Sequence, residues 1–234
     1  MGKYNCFHKI GNAGFRVIGY TVKGFNKKEN QDNFGVYSDN TQMVAVLADG
    51  LGSAKLSGEG SKKMIKTAIN ILSSENDLPD DLPRKIMDKW SDGFEGPLSQ
   101  YDTTMKFVKI KNDEIWYGGI GDGWIAINTN DGYFEVVSGS EFTNQTDSIL
   151  SEKLADKFVI ESLKTKTFKI LLMSTDGFSE DFEKDKIIPF LEESYSTISK
   201  DPKSYQDNLC KLLDNWPIQT NLDDKTVLVI KGEC

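Results

Sequence analysis

The chain has one histidine, His8, and three cysteines, Cys6, Cys210 and Cys234, among its 234 residues. A lone imidazole excludes His-rich zinc sites and Ser-His-Asp triads, and His8 reads as an ordinary surface or packing residue. The cysteines are odd in number, widely spread and form no Cys-x-x-Cys pair. They give neither a disulfide framework nor a redox motif and point to a reducing compartment. No apolar run approaches the roughly 20 residues that cross a bilayer. Met1-Gly2-Lys3-Tyr4-Asn5-Cys6 lacks the apolar core of a secretory signal and, with Cys6 where Ser or Thr is needed, also the myristoylation pattern. The expectation is a cytoplasmic protein with no membrane partner.

Basic charge is scarce as well: 28 Lys and Arg against 36 Asp and Glu leave a net charge of −8, which argues against a nucleic-acid partner. Nucleotide loops are missing. Gly118-Gly119-Ile120-Gly121 is no dinucleotide fingerprint, because Trp124 stands where a third glycine belongs, and no Walker-type loop occurs. Ile127 and Thr129 occupy ligand positions of a calcium loop around Asp131-Gly132 and break that pattern. Asn144-Gln145-Thr146 is a formal glycosylation sequon without a secretory route to the enzyme.

What the chain does have is carboxylates at the ends of apolar runs. Val44–Ala48, Ile115–Gly121 and Ile170–Thr175 lead into Asp49-Gly50, Asp122-Gly123 and Asp176-Gly177, and Asp223-Asp224 opens the run Val227–Ile230. Runs of that length and composition read as buried strands. Asp-Gly is also the commonest turn dipeptide, and Asp92-Gly93 and Asp131-Gly132, which cap no strand core, read as plain turns. Asp49, Asp122 and Asp176 follow residues expected to be buried on both sides and have no adjacent Lys or Arg. Each alone is also explained by a turn; taken with Asp32 and Asp223, they read as an oxygen-rich site for a hard divalent cation.

The remaining pattern predicts strands at Phe15–Val22, Asn33–Ser38, Met43–Ala48, Met105–Ile110, Ile115–Gly121, Trp124–Asn128, Tyr133–Val137, Phe168–Ser174 and Thr226–Lys231. Helices are predicted at Ser57–Leu72, Leu82–Phe94, Asp185–Ser196 and Pro202–Trp216. Strand clusters alternate with pairs of helices, which favours helix-covered antiparallel sheets over a parallel βαβ sheet. Ser138–Lys166 is polar and irregular, with a helical hint at Leu150–Leu154, and reads as a flap within one domain spanning residues 1–234.

Asn30-Gln31-Asp32, Ala48-Asp49-Gly50-Leu51-Gly52-Ser53-Ala54, Gly121-Asp122-Gly123, Ser174-Thr175-Asp176-Gly177-Phe178 and Asp223-Asp224-Lys225-Thr226 stand in the order found in type 2C metal-dependent serine/threonine protein phosphatases. The chain resembles that family from Asn30 to Thr226, most of all its compact bacterial branch. The resemblance implies an α+β fold: two antiparallel β-sheets forming a sandwich with helices on both sides, a four-layer αββα arrangement. It further implies a phosphoserine/phosphothreonine phosphatase with two Mg²⁺ or Mn²⁺ ions that activate a water for in-line attack on phosphorus. Asp49, Asp176 and Asp223 would be the catalytic carboxylates. Asp49 would bridge both ions with the Gly50 carbonyl beside it, Asp176 and Asp223 would complete the other shell, and Asp122 with Asp176 would form a third-metal site. Asp32 would be a carboxylate behind the metal ligands or one bonded to a metal-bound water, and Gln31, where the animal branch usually carries Glu, would orient a metal-bound water without taking its proton.

Lys27, at a position often held by Arg, and Lys28 beside it would bind the substrate phosphate; both also fit a solvated charged turn. Leu51 replaces a histidine that some relatives use as general acid. Thr103 and Thr104 would be structural, and Trp124 a packing aromatic. Expected partners are a phosphorylated protein and a Ser/Thr kinase of the same signalling system, the chain itself being a monomer. The competing readings are a phosphatase-fold binding module with weak or no activity and a small-molecule phosphoesterase.

Overall fold

The structure is a computed structural model describing residues 2–25, 27–76, 78–137, 146–216 and 222–233. The first part of the expected flap (138–145) and Cys234 lie outside the described residues. The strands are β1 (Lys3–Ile10), β2 (Ala13–Val22), β3 (Asn33–Ser38), β4 (Gln42–Ala48), β5 (Met105–Lys111), β6 (Glu114–Ile120), β7 (Trp124–Thr129), β8 (Tyr133–Val137), β9 (Val159–Lys164), β10 (Phe168–Ser174) and β11 (Lys225–Glu233). The helices are α1 (Ser57–Ser74), α2 (Leu82–Ser91), α3 (Leu154–Lys157), α4 (Asp176–Ser179), α5 (Ile187–Lys200) and α6 (Pro202–Asp214).

Two antiparallel sheets form, one in the order β1-β2-β11-β10-β7-β8 and the other β3-β4-β5-β6-β9. Side-chain alternation explains why they stack. On β4, Met43, Ala45 and Leu47 enter the core between the sheets, while Val44, Val46 and Ala48 face α1 and α2. On β11, Leu228 and Ile230 point into the same central core, and Val227 and Val229 meet α5 and α6. A strand covered on both faces favours apolar residues at successive positions, which is why these runs are continuous and not alternating. Three apolar cores therefore separate four layers, helix–sheet–sheet–helix, as expected from the resemblance.

Two strands escape the sequence reading. β1 pairs with β2 along its whole length, and β9 pairs with β6 inside the stretch expected to be irregular. Both are edge strands with much of their surface in solvent, so neither needs the apolar content that marks a central strand. The segment from Val159 to Lys164 thus belongs to the second sheet and not to a flap.

Candidate functional site

Antiparallel pairing carries the predicted acids to one end of the sandwich. Asn33 pairs with Ala48, Met105 with Ile120, Trp124 with Ser174, Ser174 with Val227, and Val22 with Lys225. Asp32 precedes β3, Asp49 follows β4, Asp122 lies between β6 and β7, Asp176 follows β10, and Asp223-Asp224 precedes β11. All of these ends coincide. The sheets are tied there through Asp32, whose Oδ2 accepts hydrogen bonds from Thr175 Oγ1 and Thr226 Oγ1, both at 2.8 Å.

Each acid is held by its neighbours. The Asp49 N–H donates to Thr104 Oγ1 at 3.0 Å, and its carbonyl accepts from Thr104 N–H at 2.8 Å and Thr103 Oγ1 at 2.6 Å. Thr103 and Thr104 are therefore clamps on the Asp49 backbone, in keeping with a structural role. Gly50 lies against the start of α1, where a Cβ would stand 2.6 Å from the Ser57 carbonyl oxygen. Gly177 is tighter still, a Cβ there falling 2.0 Å from the Asp224 carbonyl oxygen. Asp224 itself is buried and accepts from the Gly24 and Gln31 N–H groups at 2.7 and 2.8 Å, pinning the turn that carries Lys27.

The electrostatics are those of crowded carboxylates. Burial, then the neighbouring Asp224, pushes Asp32 up to about 7, against the two threonine hydrogen bonds. Burial and then Asp32, Asp176 and Asp223 drive Asp49 well above the usual carboxylate range. Asp176 is raised to about 6 by burial and the charge of Asp122, while a hydrogen bond shared with Asp49 pulls the other way. Two carboxyl groups can share such a bond only if one holds a proton. Glu180, one helical turn beyond Asp176, is also raised, by burial and by Asp122, Asp181 and Asp223.

Two buried oxygens, Asp32 Oδ1 and Asp176 Oδ1, accept no hydrogen bond. Uncompensated oxygens and mutually repelling acids are what a hard cation relieves, so the donor chemistry fits Mg²⁺ or Mn²⁺. The geometry is less complete. Among the described residues no three His, Cys, Asp or Glu side chains form a ready-made coordination shell, so an ion would have to draw the carboxylates inward.

Part of the missing positive charge comes from lysines. Lys27 Nζ forms an ion pair with Asp223 Oδ1 and lies 3.6 Å from Asp224 Oδ2. Burial works against its charge, but Asp223, Asp224 and Asp49 outweigh it and hold Lys27 above the usual lysine range. Lys28 is exposed. Lys106 is buried on β5 and donates from Nζ to the Gly121 carbonyl at 2.7 Å, directly before Asp122. Asp122 and Asp49, which have no cationic neighbour in sequence, thus feel Lys106 from β5 and Lys27 from the turn before β3. Gln31 donates from Nε2 to Ser57 Oγ at 2.6 Å, and its Oε1 accepts from Lys27 Nζ at 3.4 Å. Trp124 is 4% exposed and packs edge-on against Phe182. His8 is buried, bonded to Tyr4 Oη at 3.0 Å and Ser38 Oγ at 2.6 Å, remote in the fold from the acidic end.

Sequence reasoning gave no role to Thr175 and Thr226, although both stand in the quoted motifs, and missed Lys106 and Glu180. Glu180 was accessible through its i, i+4 spacing from Asp176; the hydroxyls and the buried lysine carried no such signal.

The sequence matches protein phosphatase 2C over residues 25–214. Comparison with curated proteins gives no match. Among solved structures, the fold is similar to the serine/threonine phosphatase Stp1 from Staphylococcus aureus, with a TM-score of 0.70 and 16% identity over 97% of this chain and 98% of that one. It is also similar to the catalytic domain of the serine/threonine protein phosphatase PstP in complex with two manganese ions, with a TM-score of 0.64 and 15% identity over 94% and 99%. RsbX in complex with magnesium gives a TM-score of 0.65 and 16% identity over 98% and 100%. At these identities the structural likeness speaks for the fold alone. The sequence match is separate and spans most of the chain: the protein belongs to the protein phosphatase 2C family.

Proposed function

We propose that the chain is a metal-dependent phosphatase that hydrolyses phosphoserine and phosphothreonine in proteins. The observation that carries this reading is the meeting of Asp32, Asp49, Asp176 and Asp223 from distant strand ends within mutual electrostatic reach, with orphaned buried oxygens on two of them. Family membership adds the reaction class, and the magnesium and manganese held by RsbX and PstP suggest the ions.

Asp49, the Gly50 carbonyl, Asp176 and Asp223 would hold a pair of ions, with Asp122 and Asp176 available for a third and Asp32 close by. Bound Mg²⁺ or Mn²⁺ would supply Lewis-acid charge at the phosphoryl oxygens and acidify water for in-line attack. The chain's own residues do the positioning. Thr103 and Thr104 fix the Asp49 backbone, Thr175 and Thr226 fix the Asp32 carboxylate, and Asp224 fixes the 24–31 turn. Lys27, on that turn, would offer a point charge to the substrate phosphate without the bidentate fork of an arginine. With Leu51 where some relatives carry a histidine, protonation of the leaving group would fall to another group or to water.

A binding module without turnover is the second reading, favoured by Lys27 already occupying Asp223 and by the open coordination geometry. Hydrolysis of an aryl phosphate and of phosphothreonine peptides, with and without Mn²⁺, separates the two. Metal-dependent turnover lost in Asp49→Asn is expected. Metal binding by calorimetry without turnover on any phosphoester would reject the enzyme reading, and preference for sugar or nucleotide phosphates would move it to small-molecule substrates.

A further inference from the structure

Just past Asp49 the chain enters a second built region. The Leu51 N–H donates to the Asp102 carbonyl at 3.1 Å, and Gly50 forms a β-bridge with Thr103, fastening the 50–53 loop to the 102–103 segment. From the other side, Ile149 N–H donates to the Thr103 carbonyl at 3.0 Å and Ser148 Oγ donates to Asp102 Oδ2 at 2.8 Å. Ser148 N–H is in turn held by Ser151 Oγ at 2.8 Å. Between these walls lies a cleft of about 600 Å³, lined by Leu51, Ser53, Asp102, Leu150, Glu152 and Lys157 among others. Thr146, also on its wall, donates to Asp122 Oδ2 at 2.6 Å, so the cleft borders the carboxylate end directly.

The lining has a definite chemistry. Lys157 Nζ is matched by Asp147 Oδ1 at 2.5 Å, whereas Asp102 and Glu152 enter no ion pair among the described residues. Two leucines flank these acids. A long aliphatic stem with a cationic tip suits such a lining: methylenes lie on leucine while the head group reaches carboxylate. An acidic side chain would meet repulsion there.

The geometry points to this cleft as the subsite for a lysine or arginine of the substrate protein, a few residues from its phosphorylated side chain. This rests on the phosphatase reading of the adjoining carboxylate end and adds to it a substrate class: phosphoproteins with basic flanking sequence. The hydrogen-bonded walls on both sides mean that the subsite is formed before substrate arrives.

The test uses phosphothreonine peptides identical except for Arg, Ala or Glu at flanking positions, assayed with the full chain and Mn²⁺. The Arg peptide should exceed the Glu peptide in kcat/KM by roughly fivefold to tenfold, falling with added salt. Glu152→Lys, an exposed reversal, should bring that ratio to about one or invert it, and Asp102→Asn should lower it. Ratios within one variant are insensitive to its overall activity, and circular dichroism checks that each variant is folded. Equal kcat/KM for Arg and Glu peptides in the unaltered chain would overturn the proposal, as would a ratio that both substitutions leave unchanged. If the unaltered chain hydrolyses no phosphoester with Mn²⁺ or Mg²⁺, the phosphatase reading fails separately. Fluorescence anisotropy of the same peptides without metal then decides the subsite: tighter binding of the Arg peptide sustains it, equal binding removes it.

Discussion

Lys106 sits on β5 with 1% of its surface exposed and its Nζ at 2.7 Å from the Gly121 carbonyl. Burial pulls its pKa from 10.5 down to about 7, with Asp122 opposing. At about 1.4 kcal/mol per pH unit, keeping the amine on this site costs folding on the order of 5 kcal/mol at neutral pH. The sign follows from proton counts. Below pH 7 folded and unfolded chains both carry the proton and the cost is complete. Between about 7 and 10.5 the unfolded chain binds more protons than the folded one, so this group makes stability rise with pH; above 10.5 its cost is gone.

Lys106→Met removes the ionisable group, keeps the volume close and leaves the Gly121 carbonyl one donor short, a loss of about 1–3 kcal/mol. The variant should therefore be about 2–4 kcal/mol more stable than the natural chain at pH 7, and the difference should vanish or reverse near pH 10. Urea unfolding followed by tryptophan fluorescence at the two pH values measures this. A variant less stable at pH 7, or one with the same pH slope as the natural chain, would refute the reasoning. Because Lys106 holds the peptide directly before Asp122, the same variant should bind Mn²⁺ less tightly, stability and function moving in opposite directions.

Two further substitutions probe the same end of the sandwich. Gly177→Ala drives a methyl toward the Asp224 carbonyl, a backbone atom that cannot turn aside; it should cost about 1–3 kcal/mol and lower Tm by roughly 3–10 °C in a calorimetric scan, and an unchanged Tm would contradict the close approach. Lys27→Ala should raise KM for a phosphopeptide about tenfold with a smaller change in kcat. An unchanged KM with reduced kcat would mean that Lys27 acts through Asp223 and not on the phosphate.

The central strands were legible because burial on both faces favours apolar residues: β4, β10 and β11 each hold an apolar run, Met43–Ala48, Ile170–Met173 and Val227–Ile230. Their acidic ends were legible for the same reason, since a carboxylate directly after such a run stands out. Edge strands carry no such mark, and Lys3–Ile10 and Val159–Lys164 look like loops. The lysines of β5 mislead in a different way. Met105–Lys111 puts Lys106 on the inter-sheet face with Val108 and Ile110, and Lys109 on the helix-covered face with Met105 and Phe107; both are buried where their charge suggests solvent, and Lys109 Nζ donates to the Glu75 carbonyl at 2.7 Å. A long flexible stem can carry its charge to a distant backbone acceptor, and no local pattern records the destination. Lys27 shows the same limit: its position before Asn30-Gln31-Asp32 suggested a phosphate contact, while its ion pair with Asp223 depends on a residue almost the whole chain away.

The position of β11 between β2 and β10 has a consequence for how the protein is made. The six-stranded sheet is missing its middle until residues beyond 223 have been synthesised, and the acidic end lacks Asp223 until the same moment. Synthesis runs from the other terminus, so a nascent chain halted earlier holds β2 and β10 with nothing between them. Premature termination should thus yield a product with an incomplete sheet, open to proteolysis.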